Sequence, residues 1–251
     1  MDLQLNDKTA LVTGASMGIG RAIAKGLAAE GVKLCIVARR RELLDELAAE
    51  IVAAGGQQPQ IVSADIMEEG APQKLALEAL HALGRADILI NCAGGSQPPV
   101  AIDAPEEEWA RAMTLNFIRV RQLTHALLPG MIERKWGRIV NITGKSEPER
   151  LLTTTSAKAA VHAWAKGLSR EVGKFGITVN CIPPGRIMSE QIRRKYSKEF
   201  RAEQSARDIP VGRYGEPEEL ACLAVFLASP LACYITGAVL PVDGGLRRYT
   251  F

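Results

Sequence analysis

The chain has no marked excess of charge of either sign: 31 Lys and Arg stand against 28 Asp and Glu, a net of +3. The basic residues are scattered apart from short runs at 39–41 and 193–195. That balance argues against nucleic acid or a membrane surface as the primary partner. No stretch reaches the ~18 uninterrupted apolar residues of a membrane span, and the N-terminus is polar and leads directly into an apolar run. The chain is therefore expected to be cytoplasmic. Cysteine is sparse and unpaired in pattern: Cys35, Cys92, Cys181, Cys222 and Cys233 form no CxxC motif and sit mostly in apolar surroundings. They read as buried free thiols of a reducing compartment. No metal-ligand spacing is found, so no metal is expected. Linkers, repeats and low-complexity tracts are also missing, which predicts one domain over residues 1–251. Tyrosine is missing from the first 195 residues; the first is Tyr196.

What is present is a size and pattern suited to one large α/β domain. The 251 residues are 47% hydrophobic, enough for a substantial core. Short runs rich in Val and Ile alternate with longer segments of helical period, the pattern of a parallel sheet covered by helices on both faces. The spacing predicts strands near 9–12, 34–37, 60–62, 88–91, 138–142, 178–182 and 239–241, and helices near 19–29, 41–54, 71–83, 106–134, 155–174 and 217–228. The expected fold is a doubly wound, seven-stranded Rossmann sheet. Residues 188–214 carry no clear element. A segment of that length in a compact domain is expected to serve as a substrate lid, the alternative being a surface excursion of one or two helices.

The first strand runs into Thr13-Gly14-Ala15-Ser16-Met17-Gly18-Ile19-Gly20 and then directly into a helix. Three glycines at this spacing let the backbone turn tightly, approach a pyrophosphate and aim a helix N-terminus at its charge. At the end of the second strand an acidic side chain would hold the hydroxyls of an unphosphorylated ribose. This chain has Arg39 there, followed by Arg40 and Arg41. A guanidinium cannot accept those hydrogen bonds but matches a phosphate in geometry and charge, so NADP(H) is the expected cofactor.

The TGxxxGIG turn resembles the cofactor loop of the short-chain dehydrogenase/reductase family, and further marks of that family follow in order along nearly the whole chain. Asp65 and Ile66 stand where the family holds the adenine. Asn91-Cys92-Ala93-Gly94 is similar to its NNAG segment. Asn180 to Ser189, including Pro184, Gly185, Ile187 and Ser189, resembles the segment that faces the nicotinamide. Met17 stands where some NADP-binding relatives carry a basic residue. The same resemblance implies a homotetramer, and residues such as Trp109, Leu123, Leu127 and Trp164 on the helices at 106–134 and 155–174 are expected at contacts between subunits.

The family's catalytic group is a Tyr acid/base, a Lys four residues later, a Ser and an Asn, which together meet the charge that hydride transfer builds on oxygen. Lys158 in Ser156-Ala157-Lys158-Ala159-Ala160-Val161 and Asn116 in Leu115-Asn116-Phe117 match two of the four. The Tyr position falls on Thr154 and the Ser position on Gly144, and the interval between them is shorter than the family's. An aliphatic hydroxyl is a far weaker acid than a phenol, so Thr154 is no equivalent for Tyr. The loop offers Lys145 and Ser146 in exchange, as proton donor or charge stabiliser, or as part of a solvated turn. His162, one turn past Lys158, reads as a packed helix residue. The resemblance, to 3-oxoacyl-ACP reductase-like members among others, implies an NADP(H)-dependent reductase of a C=C or C=O bond in a small activated substrate. The alternatives are a carbonyl reductase or alcohol dehydrogenase with substitute catalytic residues, and a non-catalytic NADP(H)-binding protein.

Overall fold

The computed structural model describes residues 1–95, 102–144 and 151–248, apart from the side chains of Gln191 and Lys195. Six strands, β1 (Thr9–Thr13), β2 (Lys33–Ala38), β3 (Gln60–Ser63), β4 (Ile88–Asn91), β5 (Gly137–Ile142) and β6 (Ile177–Ile182), form one parallel sheet. Their order is β3-β2-β1-β4-β5-β6, which reverses between β1 and β4 and opens a crevice at the carboxyl ends of those strands. The central strands are predominantly apolar because both faces are covered. β1 and β4 are buried at every position, and one apolar cluster lies on each side of the sheet.

Helices α1 (Gly18–Ala29), α2 (Arg41–Ala53) and α3 (Ala71–Leu83) follow the first three strands. The long apolar-periodic segment after β4 is one path in three parts: α4 (Glu106–Met113), a π-helical stretch at Thr114–Ile118, and α5 (Arg119–Arg134). After β5 come α6 (Thr153–Val172), then two short helices, α7 (Glu190–Lys195) and α8 (Lys198–Asp208), and finally α9 (Pro217–Leu227). Segment 188–214 is therefore helical where periodicity assigned no element. Its helices are short and polar, α8 burying only Ser205, and each is started by a serine cap: Ser189 Oγ accepts from Ile192 N and Ser197 Oγ from Phe200 N.

Three expectations are corrected. The seventh strand at 239–241 does not form. The chain runs beside β6 through isolated bridges at Cys181–Val239 and Pro184–Val242, because Pro183 has no N–H to donate between the bonds Leu240 N to Cys181 O and Val242 N to Pro183 O. Leu123 and Leu127 are fully buried in this chain's own core, so they are not subunit contacts. Cys222 and Cys233 are exposed rather than buried; Cys222 lies on α9 opposite the face of Leu220, Ala221 and Ala224 that packs inward. Among the described residues no helix is long and apolar enough to cross a membrane.

Candidate active site and cofactor cradle

Where β1 ends, the chain turns tightly into α1. A Cβ on Gly20 would stand 2.3 Å from Gly14 O, and one on Gly14 would stand 2.8 Å from Ala93 N. The turn, the helix start and the loop after β4 thus meet backbone to backbone, which only glycine permits. Thr13 joins them. Its hydroxyl donates to Ile90 O at 3.2 Å and accepts from the N–H groups of Cys92 and Ala93, both at 3.1 Å. This hub carries no acid/base signal in the sequence, and only the crossing of β1 and β4 reveals it.

Helix α1 begins with no side chain capping it, Met17 being the extended N-cap, and no acidic residue in its first turn. Gly18 faces open space, its nearest neighbour being Ser189 Cβ at 3.9 Å from where a Cβ would be. An uncapped helix start beside a turn stripped of side chains fits a pyrophosphate. Ser16 is buried in the turn and Ile19 packs against the core. At the tip of β2, the Arg39 side chain is 76% exposed, with Asp65 Oδ2 at 3.8 Å from Nη1, and Arg40 Nη2 reaches Met17 Sδ at 3.1 Å. Two guanidinium groups therefore stand at the tip of β2, matched in charge and geometry to a phosphate. Asp65 Oδ1 accepts from Met67 N at 2.9 Å and Ile66 is buried.

Opposite, Pro184 and Gly185 are held against the C-terminal segment. Gly185 N donates to Val242 O at 2.9 Å, and a Cβ on Gly185 would lie 2.5 Å from Asp243 Cα. Ile187 is buried and bridges to Gly215.

Two predicted residues turn inward. Asn91 Nδ2 donates to Thr124 Oγ1 at 3.1 Å and to Asn141 Oδ1 at 2.9 Å, so it ties β4 to β5 and α5 rather than presenting its amide to a ligand. Its Oδ1 has no protein partner and borders a small cavity shared with Asn116, Thr143 and Lys158. Asn116 sits in the π-helical stretch, where the widened turn aims its side chain across to the loop after β4. Its Oδ1 accepts from Gly95 N at 3.1 Å and its Nδ2 donates to Ala112 O at 3.0 Å. A Cβ on Gly94 would be 3.1 Å from that Oδ1. Asn116 is thus a positioning residue for the 94–95 loop.

Thr154 and Lys158 lie one turn apart on α6. Thr154 is buried and lines a cleft with Gly95, Glu108, Arg111, Leu115 and Asn116. Lys158 keeps part of its surface open to the site while protein surrounds its ammonium, and Nζ donates to Thr143 O at 3.0 Å. Burial pushes the Lys158 pKa down, and the neighbouring Cys92 opposes this weakly. Cys92 itself is pushed up to about 12 by burial, so its thiol stays protonated near neutral pH. His162 Nε2 lies 2.7 Å from Thr143 Oγ1, and burial first, then Arg247 and Lys158, lower its pKa. Lys145 and Ser146 lie outside the described residues. Among the described residues no cluster of three His, Cys, Asp or Glu side chains could hold a metal ion.

Comparison with known proteins identifies the family. Residues 14–247 match the family described as Enoyl-(Acyl carrier protein) reductase. The chain is 36% identical over 250 residues to a 3-oxoacyl-[acyl-carrier-protein] reductase of Synechocystis sp., covering 98% of this chain and 99% of that one. Among solved structures it is similar to a 3-oxoacyl (acyl-carrier-protein) reductase from Agrobacterium tumefaciens with NADP bound, with a TM-score of 0.91, 30% identity and 96% and 95% of the two chains covered. It is also similar to the L-sorbose reductase of Gluconobacter frateurii complexed with NADPH and L-sorbose, with a TM-score of 0.92, 31% identity and 99% and 100% covered.

Proposed function

The chain belongs to the short-chain dehydrogenase/reductase family, and from that premise we propose that it is an NADP(H)-dependent oxidoreductase whose proton-handling residues depart from the family's tyrosine pattern. The cofactor reading is supported by Arg39 and Arg40 at the tip of β2 and by relatives of known structure that hold NADP or NADPH. Gly14, Gly18 and Gly20 would hold the pyrophosphate, Ala93 and Gly94 the ribose, and the Pro184 to Ser189 segment the nicotinamide. When bound, the reduced cofactor supplies a hydride.

The substrate reading is a small activated carbonyl compound, taken into the cleft lined by Thr154, Asn116, Leu115 and Arg111. One observation carries it: the residue one turn before Lys158 is an aliphatic hydroxyl lining that cleft, and among the described lining residues there is no phenol. A second reading, reduction of a conjugated C=C bond, is favoured by the same hydroxyl and by the enoyl reductase description of the matching family. An enolate needs charge stabilisation more than a strong proton donor at oxygen. Lys145 and Ser146 are proposed to assist in either case. Residues 188–214, with α7 and α8, form the lid over this cleft within a single domain, and the assembly is proposed to be a homotetramer.

The test is NADPH oxidation followed at steady state over a panel of ketones, enones and acyl thioesters. Turnover of any class supports an enzyme and says which bond is reduced. NADPH binding without turnover across the panel would sink the oxidoreductase reading in favour of a non-catalytic binding protein.

A further inference from the structure

Gly144, at the carboxyl end of β5, has no space for a side chain because Lys158 already occupies it. A Cβ built there would stand 2.7 Å from Lys158 Cδ and 3.5 Å from Nζ. A hydroxymethyl group at residue 144 and the observed Lys158 conformation are mutually exclusive. The ammonium lies 3.5 Å from where a residue-144 Cβ would stand, and Lys158 lines a small cavity with Asn91, Asn116 and Thr143. Among the described residues, Thr143 O accepts one of its three N–H donors.

Resting on the oxidoreductase reading above, we propose that Lys158 is itself the proton donor of this site, brought to the substrate oxygen by the bare backbone at Gly144. As hydride adds to the substrate carbon, the π pair of the C=O bond moves to oxygen. An O–H bond forms there while one Nζ–H bond breaks, leaving an alcohol and a neutral amine, and the amine then takes a proton from water. Thr154 cannot make this transfer at neutral pH, being an alkyl alcohol. Desolvation of the ammonium acts in the required direction, moving its acidity toward the working pH. The titratable groups facing Lys158 among the described residues are Cys92, from the loop after β4, and His162 on its own helix; both are neutral near pH 7 by their shifts.

The decisive experiment is competitive acetylation of the cofactor-free protein with acetic anhydride across pH. Mass spectrometry would quantify the Lys158 peptide, with the exposed Lys74 as internal reference. Lys158 is expected to titrate below Lys74 in the unaltered protein, and to move toward Lys74 in Gly144→Ser, where the new side chain displaces it. Lys158→Arg keeps the cation but cannot release a proton near neutral pH. It should hold NADPH within a few-fold while single-turnover reduction falls by ~100-fold or more. In the unaltered protein the rate should fall as pH rises through the midpoint found by acetylation. Full activity in Lys158→Arg, or Lys158 titrating together with Lys74, would overturn the proposal. Failure of the oxidoreductase reading is distinguishable, since it appears as absent turnover in the unaltered protein whatever the acetylation profile.

Discussion

His162 Nε2 and Thr143 Oγ1 stand 2.7 Å apart, joining α6 to the end of β5 immediately beside Lys158. The imidazole is held below its ordinary pKa by burial first, and then by Arg247 and Lys158. A histidine kept neutral in the native state but free to protonate when unfolded makes the unfolded chain bind more protons below about pH 6.5. Its contribution is therefore absent above that pH. As pH falls from there through the lowered folded value, it removes stability at up to ~1.4 kcal/mol per pH unit. His162→Gln should flatten the acid side of a urea-derived stability profile, leaving the part due to His125, which is lowered in the same direction. An unchanged slope would show that His162 titrates normally in the folded protein.

Arg39→Asp should reverse the cofactor preference. The Arg39 guanidinium is largely exposed at the tip of β2, and its ion pair with Asp65 is long at 3.8 Å. The group is available for a phosphate, and an acid in its place would repel one while accepting ribose hydrogen bonds. Fluorescence titration should find NADPH favoured over NADH in the unaltered protein. The variant should lose about 10- to 100-fold in NADPH affinity, at ~1.4 kcal/mol per tenfold. Equal affinity for both cofactors before mutation would contradict the assignment.

Two glycine substitutions should act in opposite directions. A Cβ on Gly20 would press to 2.3 Å from Gly14 O, whereas one on Gly167, within α6, meets nothing within 4 Å. Gly20→Ala should lower stability by roughly 1–3 kcal/mol through overpacking and weaken NADPH binding as the turn opens. Gly167→Ala should raise stability by up to ~1 kcal/mol through helix propensity. Chemical denaturation of both variants checks the pair of signs.

Thr154→Val keeps the shape of the cleft wall and removes the hydroxyl. It should slow single-turnover reduction by less than the ~100-fold that marks loss of a general acid. Lys158→Ala should weaken cofactor binding and turnover together, and Lys145→Ala should cost more than Thr154→Val if its ammonium meets the developing charge. Abolition of turnover by Thr154→Val, with Lys145→Ala unaffected, would overturn this ordering.

The assembly proposed for the chain should appear as a tetramer in light scattering. With Leu123 and Leu127 inside the core, Trp109 and Trp164, both only partly buried, are the aromatic residues of α4 and α6 left to contribute at a subunit contact. Trp164 already packs edge-on against Phe117 and stacks with His125. A monomeric mass at working concentration would refute the proposal.

Local chemistry made much of this protein legible from its sequence. Alternation of apolar strands with helical periods implied a parallel, doubly wound sheet. The glycines at 14 and 20 marked a tight turn because no other residue allows those backbone contacts, and the charge of Arg39 pointed to a phosphorylated cofactor. Periodicity could not show that Pro183 breaks the last strand's ladder into isolated bridges, nor that serine caps suffice to start two polar helices in 188–214. The site's chemistry was the least legible part. That Asn91 and Asn116 turn their amides into the protein depends on β4, β5 and the π-helical stretch meeting. That Lys158 lies where a side chain at 144 would stand depends on α6 crossing the end of β5. Residues 14 positions apart acquire a common function only when packing brings them within van der Waals reach, and no one-dimensional spacing encodes that distance.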